Sequence, residues 1–370
     1  MPWNDRDTMT LRDEFVGKAQ SAKYSISELC REYNISRPTA YKWIQRYRDE
    51  GPIGLYNRNT NPLRMPSKVA PEKVQLIIHL RDKYPAWGAK KLRQVLINEG
   101  HEGLPSLSSF NRILSRECKI TETESRKRQK FIRFEKATPN ELWQMDFKGH
   151  FRTAEGECHP LTILDDCSRY AICLKGCLSE NEISVRKALE EAFHCYGLPL
   201  AMTMDNGSPW KGYSKQRLSN LTVWLMRLGI RVGHSRPNHP QTQGKDERFH
   251  RTFKEEVLKY HNFQNLEDAQ IHFDEWKEIY NNIRPHEGIG MLCPAQKYTI
   301  SPRKYSKTLP SIEYPEQDKV LKVGSNGEIC FKGKRCYVGS HLRGEYVALR
   351  ERDNDQWDIY YVNSRIGRIR

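Results

Sequence analysis

Three acidic residues stand where acids are unfavourable. Asp146 lies mid-way along LWQMDFKGHF, an alternating stretch that should form a strand of a buried sheet. Asp205 ends the short apolar run AMTMD and is followed at once by Asn-Gly, which is favoured turn chemistry. Glu247 comes early in a helical stretch that begins near Thr242. The three are separated by 59 and 42 residues. A buried, unpaired carboxylate is costly, and two at one edge of a sheet repel each other. Magnesium relieves both costs, because it prefers hard carboxylate oxygens and keeps positions open for water and substrate. Two such ions about 3.5–4 Å apart can clamp the attacking and leaving oxygens of an in-line phosphoryl transfer. The residue types thus point to metal-assisted phosphoryl transfer. On spacing alone, a simple turn-capping role for Asp205 stays open.

The elements that must hold these acids can be read around them. LTILDDCSRYAICLKGCL reads as a hairpin from Leu161 to Leu174, turning near Asp166–Ser168. NEISVRKALEEAFHCYG is an amphipathic helix ended by Gly197. After the Asp205 strand come a helix over 216–228 closed by Gly229, the strand IRVGHSRP, the Glu247 helix, and a helix marked by Leu266, Ala269, Phe273, Trp276 and Ile279. A hairpin followed by strand–helix crossovers predicts an α/β domain over 139–300, with a mixed five-stranded sheet and helices on its faces. Trp143 is expected in the core, Asp165 and Asp166 in the hairpin turn, and His234, His239 and His286 in structural roles. His250, Arg251 and Lys254 follow Glu247 at +3, +4 and +7 and share its helical face.

Two helical units precede this domain. Ser25 to Gly51 reads as a helix-turn-helix within residues 1–60: Ile26, Leu29 and Cys30 on one face, a turn at Asn34, Ser36 as cap and Pro38 in the next first turn. Tyr41, Ile44 and Tyr47 repeat at threes on the second helix, which exposes Arg37, Thr39, Lys42, Gln45 and Arg46 to phosphates and base edges. A Gly-, Pro- and Asn-rich linker leads to a second helix-turn-helix over 67–118, with or without a wing, in which Ser106 or Ser108 caps the last helix. Residues 119–138 form a basic linker containing Arg126, Lys127 and Arg128. At the other end, 315–370 carries about five short alternating strands, which predicts a small β-barrel.

Composition agrees with such a chain. Among 370 residues, 61 basic against 46 acidic side chains leave a net charge of +15, which favours a polyanionic partner such as nucleic acid. No apolar run approaches the roughly 20 residues needed to span a bilayer. The first residues contain no apolar signal-peptide core, so the chain is expected to stay in the cytoplasm. The ten cysteines contain no C-x-x-C pair and read as reduced thiols.

The words WQMDF, LDDCSRY, DNGSPW, HPQTQGKDERFHRTFKEE and YNNIRPHEGIGMLCPAQKY occur in that order. Together they resemble the DDE-type integrase core shared by insertion-sequence transposases and retroviral integrases, over Asn140 to Tyr298. The two helix-turn-helix units extend the likeness back to Ser25, and the absence of a His-His-Cys-Cys module favours the transposase branch. The resemblance implies an RNase H-like fold and a catalytic, metal-binding triad of Asp146, Asp205 and Glu247, holding magnesium, with manganese an acceptable substitute. Asp246 stands beside Glu247 where relatives commonly have an apolar residue; Glu247 is preferred because it aligns with the acid before FHRT. The implied reaction hydrolyses phosphodiester bonds at the ends of an insertion element and joins the freed 3′-hydroxyls to target DNA. Implied partners are terminal-repeat and target DNA and a homo-oligomer of at least two chains in a bacterial cytoplasm. Whether an accessory ATPase takes part stays open. Arg37, Thr39, Lys42 and Arg46, Arg126, Lys127 and Arg128, and Lys245, Arg248, Arg251 and Lys254 are the expected DNA contacts. Two alternatives are a DNA-binding regulator with an inactive core and an RNase H-like nuclease that cuts without joining.

Overall fold

The computed structural model describes residues 8–21, 23–58, 69–117, 119, 135–205, 218–234, 244–352 and 356–369. The chain divides into two compact units, Met1–Lys68 and Val69–Arg370.

In the first unit three helices, α1 (Thr8–Gln20), α2 (Ile26–Glu32) and α3 (Arg37–Glu50), surround Phe15, Val16, Leu29, Ile35, Ala40, Trp43 and Leu55. Ser25 and Glu28 form a reciprocal capping box on α2. Asn34 turns the chain at a φ of 49°, and Ser36 caps α3. Helix α1 is not announced by the sequence. Its inward face carries Phe15 and Val16 but also Arg12, so its apolar stripe is too short to read. Arg12 is buried because its guanidinium donates to Leu55 O at 2.7 Å and Asn57 Oδ1 at 2.8 Å and lies 3.9 Å over the Trp43 ring. The inward stripe of α3 is Ala40 and Trp43, one position before the expected Tyr41–Ile44–Tyr47 row, and Tyr41 is exposed.

The second unit opens with α4 (Pro71–Lys83), α5 (Ala89–Asn98) and α6 (Leu107–Arg116) around Ile77, Leu92, Leu96, Phe110 and Ile113. Ser106 is the cap of α6. No strand accompanies these helices among the described residues, so the optional wing is not present there. This bundle packs on the central domain: Ile279 joins its core, and Asn98 Nδ2 lies 3.9 Å from Cys293 Sγ.

The central sheet consists of β1 (Trp143–Phe147), β2 (Phe151–Arg152), β3 (Glu157–Asp165), β4 (Ala171–Cys177), β5 (Ala201–Met204) and β6 (Arg231–His234). β3 pairs antiparallel with β1, β2 and β4, whereas β1–β5 and β5–β6 are parallel. The sheet is mixed, as its hairpin-then-crossover order requires, but six-stranded instead of five. The addition, β2, is two residues long and leaves no periodic trace. Side-chain alternation divides the core into two layers. Trp143, Met145, Leu161 and Ile163 face α7 (Glu182–Tyr196) and α8 (Asn220–Arg227). Leu164 and Leu174 face α9 (Gly244–Phe253) and α10 (Leu266–Glu278), whose Phe249, Phe253, Phe273 and Trp276 fill the other layer. α9 runs on into a π-helical turn, Lys254–Leu258, and the short α11 (Pro294–Lys297) closes the domain.

The stretch beyond Tyr298 is more than a linker. Ser301 N donates to Tyr196 O at 3.0 Å, and Arg303 donates to Leu228 O at 2.9 Å and Gly229 O at 3.1 Å, so this segment binds the ends of α7 and α8. Six strands come next: β7 (Lys319–Lys322), β8 (Glu328–Phe331), β9 (Lys334–Tyr337), β10 (Tyr346–Arg352), β11 (Gln356–Tyr361) and β12 (Ser364–Ile369). The expected barrel does not close among the described residues. The strands form a four-stranded sheet, β12-β11-β10-β7, and a separate β8–β9 hairpin. Gly324 and Gly327 turn the chain away after β7, and α8 covers the space between with Val223 and Met226. No helix among the described residues is long and apolar enough to cross a membrane. The nine described cysteines are free thiols.

Gly54 sits against the backbone of α3, where an added Cβ would lie 2.3 Å from Arg46 O. Gly54→Ala should destabilise the first unit by about 2 kcal/mol. Hydrogen exchange in the full chain should then accelerate across Arg37–Glu50 and stay unchanged in α4–α6.

Candidate active site

Strand β1 places Asp146 beside Thr162 of β3, on the face that α9 covers. Asp205 follows the last residue of β5, the parallel neighbour of β1. Glu247 occupies the exposed first turn of α9. The three carboxylates share one electrostatic neighbourhood. Burial, then the negative charges of Asp205, Glu180 and Glu247, raise the Asp146 carboxyl to about 7. Among the described residues, no three His, Cys, Asp or Glu side chains lie close enough together to hold one ion. Glu247 is exposed to water.

Two polar contacts fix α9 above the sheet. Thr162 Oγ1 donates to Asp146 O at 3.0 Å and lies 2.8 Å from His250 Nε2. With its one proton committed to that carbonyl, the hydroxyl accepts from His250, which sets the Nε2–H tautomer. Burial, reinforced by Lys148, holds His250 down to about 4, so the ring is neutral at physiological pH. The second contact is at the helix start. Asp166 is buried and accepts from Gln144 Nε2 at 2.7 Å, from Lys136 N at 2.8 Å and from the Lys245 ammonium. Asp165 forms the expected turn, accepting from Ser168 N at 2.8 Å and Asn140 N at 2.7 Å. Asp166 thus does more than turn the hairpin. It also takes Lys245 out of the expected DNA-contact set, because that side chain points inward to an ion pair.

Asp246 is not beside Glu247 in environment. It is 2% exposed, and its Oδ1 has no hydrogen-bond partner among the described residues. Burial, then Asp146 and Asp166, push its carboxyl well above the usual range. Arg248 and Arg251 are exposed on α9, and Lys254 is exposed at the start of the π-helical turn that continues it. In the first unit Arg37 and Lys42 are exposed, while Thr39 and Arg46 are half-buried, with Arg46 5.1 Å from the Trp43 ring. Trp143 is core and His286 is half-buried. Arg126, Lys127, Arg128, His239 and the His234 side chain lie outside the described residues. The roles of Thr162 and the inward Lys245 are not legible from spacing, since each works through a partner far away in the chain.

Comparison with known families gives matches along much of the chain. Integrase core domain models match residues 136–240 and 228–294. A helix-turn-helix domain matches 12–62, and a homeodomain-like domain 39–114. The IS481 family transposase C-terminal domain matches 318–370. The chain is a relative of insertion-sequence transposases and carries an integrase-type core. It is 26% identical to an uncharacterized 39.2 kDa protein of insertion element IS476 from Xanthomonas euvesicatoria, over 60% of this chain and 62% of that one, less than two thirds of the relative's length. It is 21% identical to the putative transposase of IS5376 from Geobacillus stearothermophilus over 98% of this chain and 88% of the relative. With the transposase of Tn552 from Staphylococcus aureus it shares 25% identity over 91% of this chain and 77% of that one. A simian T-cell lymphotropic virus intasome structure aligns at a TM-score of 0.40 and 14% identity, covering 76% of this chain and 91% of that one. That similarity is too low to bear on function.

The raised Asp146 carboxyl has a measurable consequence in metal-free protein. A carboxyl raised from 3.8 to about 7 favours the folded state most at acid pH, and this contribution is lost as pH rises through about 7. Asp146→Asn should therefore flatten the fall in melting temperature between pH 4 and 7 and melt higher than wild type at pH 8. A melting series with chelator present checks both.

Proposed function

We propose that this chain is a DDE-type transposase, with Asp146, Asp205 and Glu247 as its catalytic triad. One observation carries the reading: Asp146, desolvated on β1, is held in the field of Asp205 and Glu247 although the three come from separate elements. The donor set fits a hard divalent cation. It contains carboxylate oxygens only, and the neighbouring imidazole of His250 is turned to Thr162. A cation would offset the burial, and then the repulsion, that raise Asp146. Magnesium, or manganese in its place, would supply Lewis-acid activation of water and stabilisation of the leaving oxygen when bound by these three acids.

The chain's own residues do the rest. Asp146 and Asp205 project from adjacent parallel strands and set the floor of the site. Glu247 comes down from the first turn of α9, whose height is set by Lys245 on Asp166 and by His250 on Thr162. Arg251 and Lys254, on the outward side of α9 and of the turn that continues it, suit a DNA backbone passing over the acids. Arg37 and Lys42 on α3 suit terminal-repeat DNA, as a recognition helix would. The chain would cut a phosphodiester at each element end and direct the resulting 3′-hydroxyl at a target phosphate. Reaction at two ends calls for at least two chains, acting on DNA in the bacterial cytoplasm.

Asp205→Asn should bind end-containing duplexes as the wild type does, and its cleavage and joining should fall to the uncatalysed background. Labelled duplex ends and a plasmid target, with magnesium, provide the assay. Joined product from that variant would sink the triad. Cutting by the wild type without joining would favour a nuclease, and binding with neither would favour a regulator.

A further inference from the structure

The second helix of the first helix-turn-helix, α3, sorts its polar side chains into two groups. One group leans back onto the protein. Arg37 Nη2 donates to Ser27 Oγ of α2 at 2.9 Å, and Thr39 Oγ1 lies 2.9 Å from Ser36 Oγ. Lys42 Nζ and the Arg46 guanidinium each lie 5.1 Å from the centre of the Trp43 ring. The other group is one row at a spacing of four, Tyr41, Gln45 and Asp49, and all three are exposed. Tyr41 is 59% exposed, so nothing of the protein covers this row at its middle. Within the row, Gln45 Nε2 donates to Asp49 Oδ1 at 2.9 Å and to Oδ2 at 3.1 Å. A carboxylate only accepts, so the nitrogen of the amide must face Asp49 and Oε1 must face away. Gln45 therefore presents an acceptor outward, in an orientation set by its neighbour one turn on. In the major groove adenine shows a donor, N6, beside an acceptor, N7, whereas guanine shows two acceptors, O6 and N7. An outward Oε1 matches adenine N6 and is repelled by guanine O6. Turning the amide over to suit guanine would set Oε1 against the Asp49 carboxylate.

We propose that Gln45 reads an adenine in the major groove of duplex DNA, and that Asp49 is a positioning residue that holds the amide in the adenine-reading orientation and rejects guanine. In this contact Oε1 accepts from adenine N6. One Nε2–H donates to N7, and the other stays on Asp49. Cytosine offers a donor but no adjoining acceptor, so it satisfies only half of the amide. The cations drawn back from the row, Arg37 and Lys42, suit the phosphates that border the groove. A net charge of +15 gives the chain the sign that a duplex attracts. The inference rests on the proposed DNA-processing function and gives its first unit a base preference.

The test selects duplexes from a pool with a randomised segment, using the full chain without divalent metal, for wild type, Gln45→Ala and Asp49→Asn. Both substituted side chains are exposed, so the variants keep the fold. Wild type should select a sequence with an adenine that Gln45→Ala no longer requires, and the preference at other positions should persist. On defined duplexes, guanine in place of that adenine should weaken wild-type binding about tenfold or more. In Asp49→Asn the new amide can donate to Oε1, so the ratio of adenine to guanine binding should fall toward one, through tighter binding of the guanine duplex. A merely structural Asp49 would leave that ratio unchanged, and this result would overturn its positioning role. Duplex carrying 7-deazaadenine, which lacks the N7 acceptor, should bind wild type more weakly and Gln45→Ala no differently. A Gln45→Ala profile identical to wild type, a Gln45-dependent guanine, or a wild type that selects no sequence would each overturn the proposal. A wild type that selects a sequence but never cuts DNA would overturn the transposase reading and leave this one standing. Wild-type cutting with an unaltered Gln45→Ala profile would overturn this one alone.

Discussion

Negative charge gathered out of water is the constraint around which the central domain is arranged. Asp146 and Asp246 are both desolvated, and Asp246 lies within the field of Asp146. A fold can hold such groups only by protonating them, by pairing them or by admitting a cation. Each solution is used at a different residue. Asp246 is pushed toward its neutral form by burial, Asp166 takes Lys245 and two further donors, and Asp146 is left raised and half-buried at the sheet.

The same contacts that manage charge also set geometry. Asp166 ties the first turn of α9 to the β3–β4 turn through Lys245, and Thr162 ties the second turn of α9 to the sheet through His250. Between them the aromatic layer of Phe249, Phe253, Phe273 and Trp276 supplies most of the burial that fastens α9 and α10 to the sheet. A helix pinned in this way presents Glu247 reproducibly while leaving it exposed.

The outer parts of the second unit are joined to this centre by different means. The C-terminal sheet is tied through α8, by Val223 and Met226 in its core and by Arg227 donating to Glu345 at 2.8 Å. The segment around Ser301 and Arg303 locks the turns after α7 and α8, and Gly197, at a φ of 74°, leaves room for it, since a Cβ there would meet Ser301 O at 2.7 Å. The α4–α6 bundle is tied at Asn98 and Ile279.

Much of this is legible in the sequence. Caps at Ser36 and Ser106, glycines ending α7 and α8, and the strand signal around β1 are local, fixed by neighbours a few residues away. The acids Asp146, Asp205 and Glu247 stand out because strand ends and helix starts carry such signals. The features that stay hidden have weak periodicity or depend on closure: α1 with Arg12 inside, the two-residue β2, and the C-terminal strands that form an open sheet and a hairpin. Which acid is pinned, protonated or exposed was decided only by the tertiary structure. Lys245 and Asp166 stand 79 residues apart, and His250 and Thr162 stand 88 apart. Charge and desolvation act through space, and only the folded chain brings those distances down to a hydrogen bond.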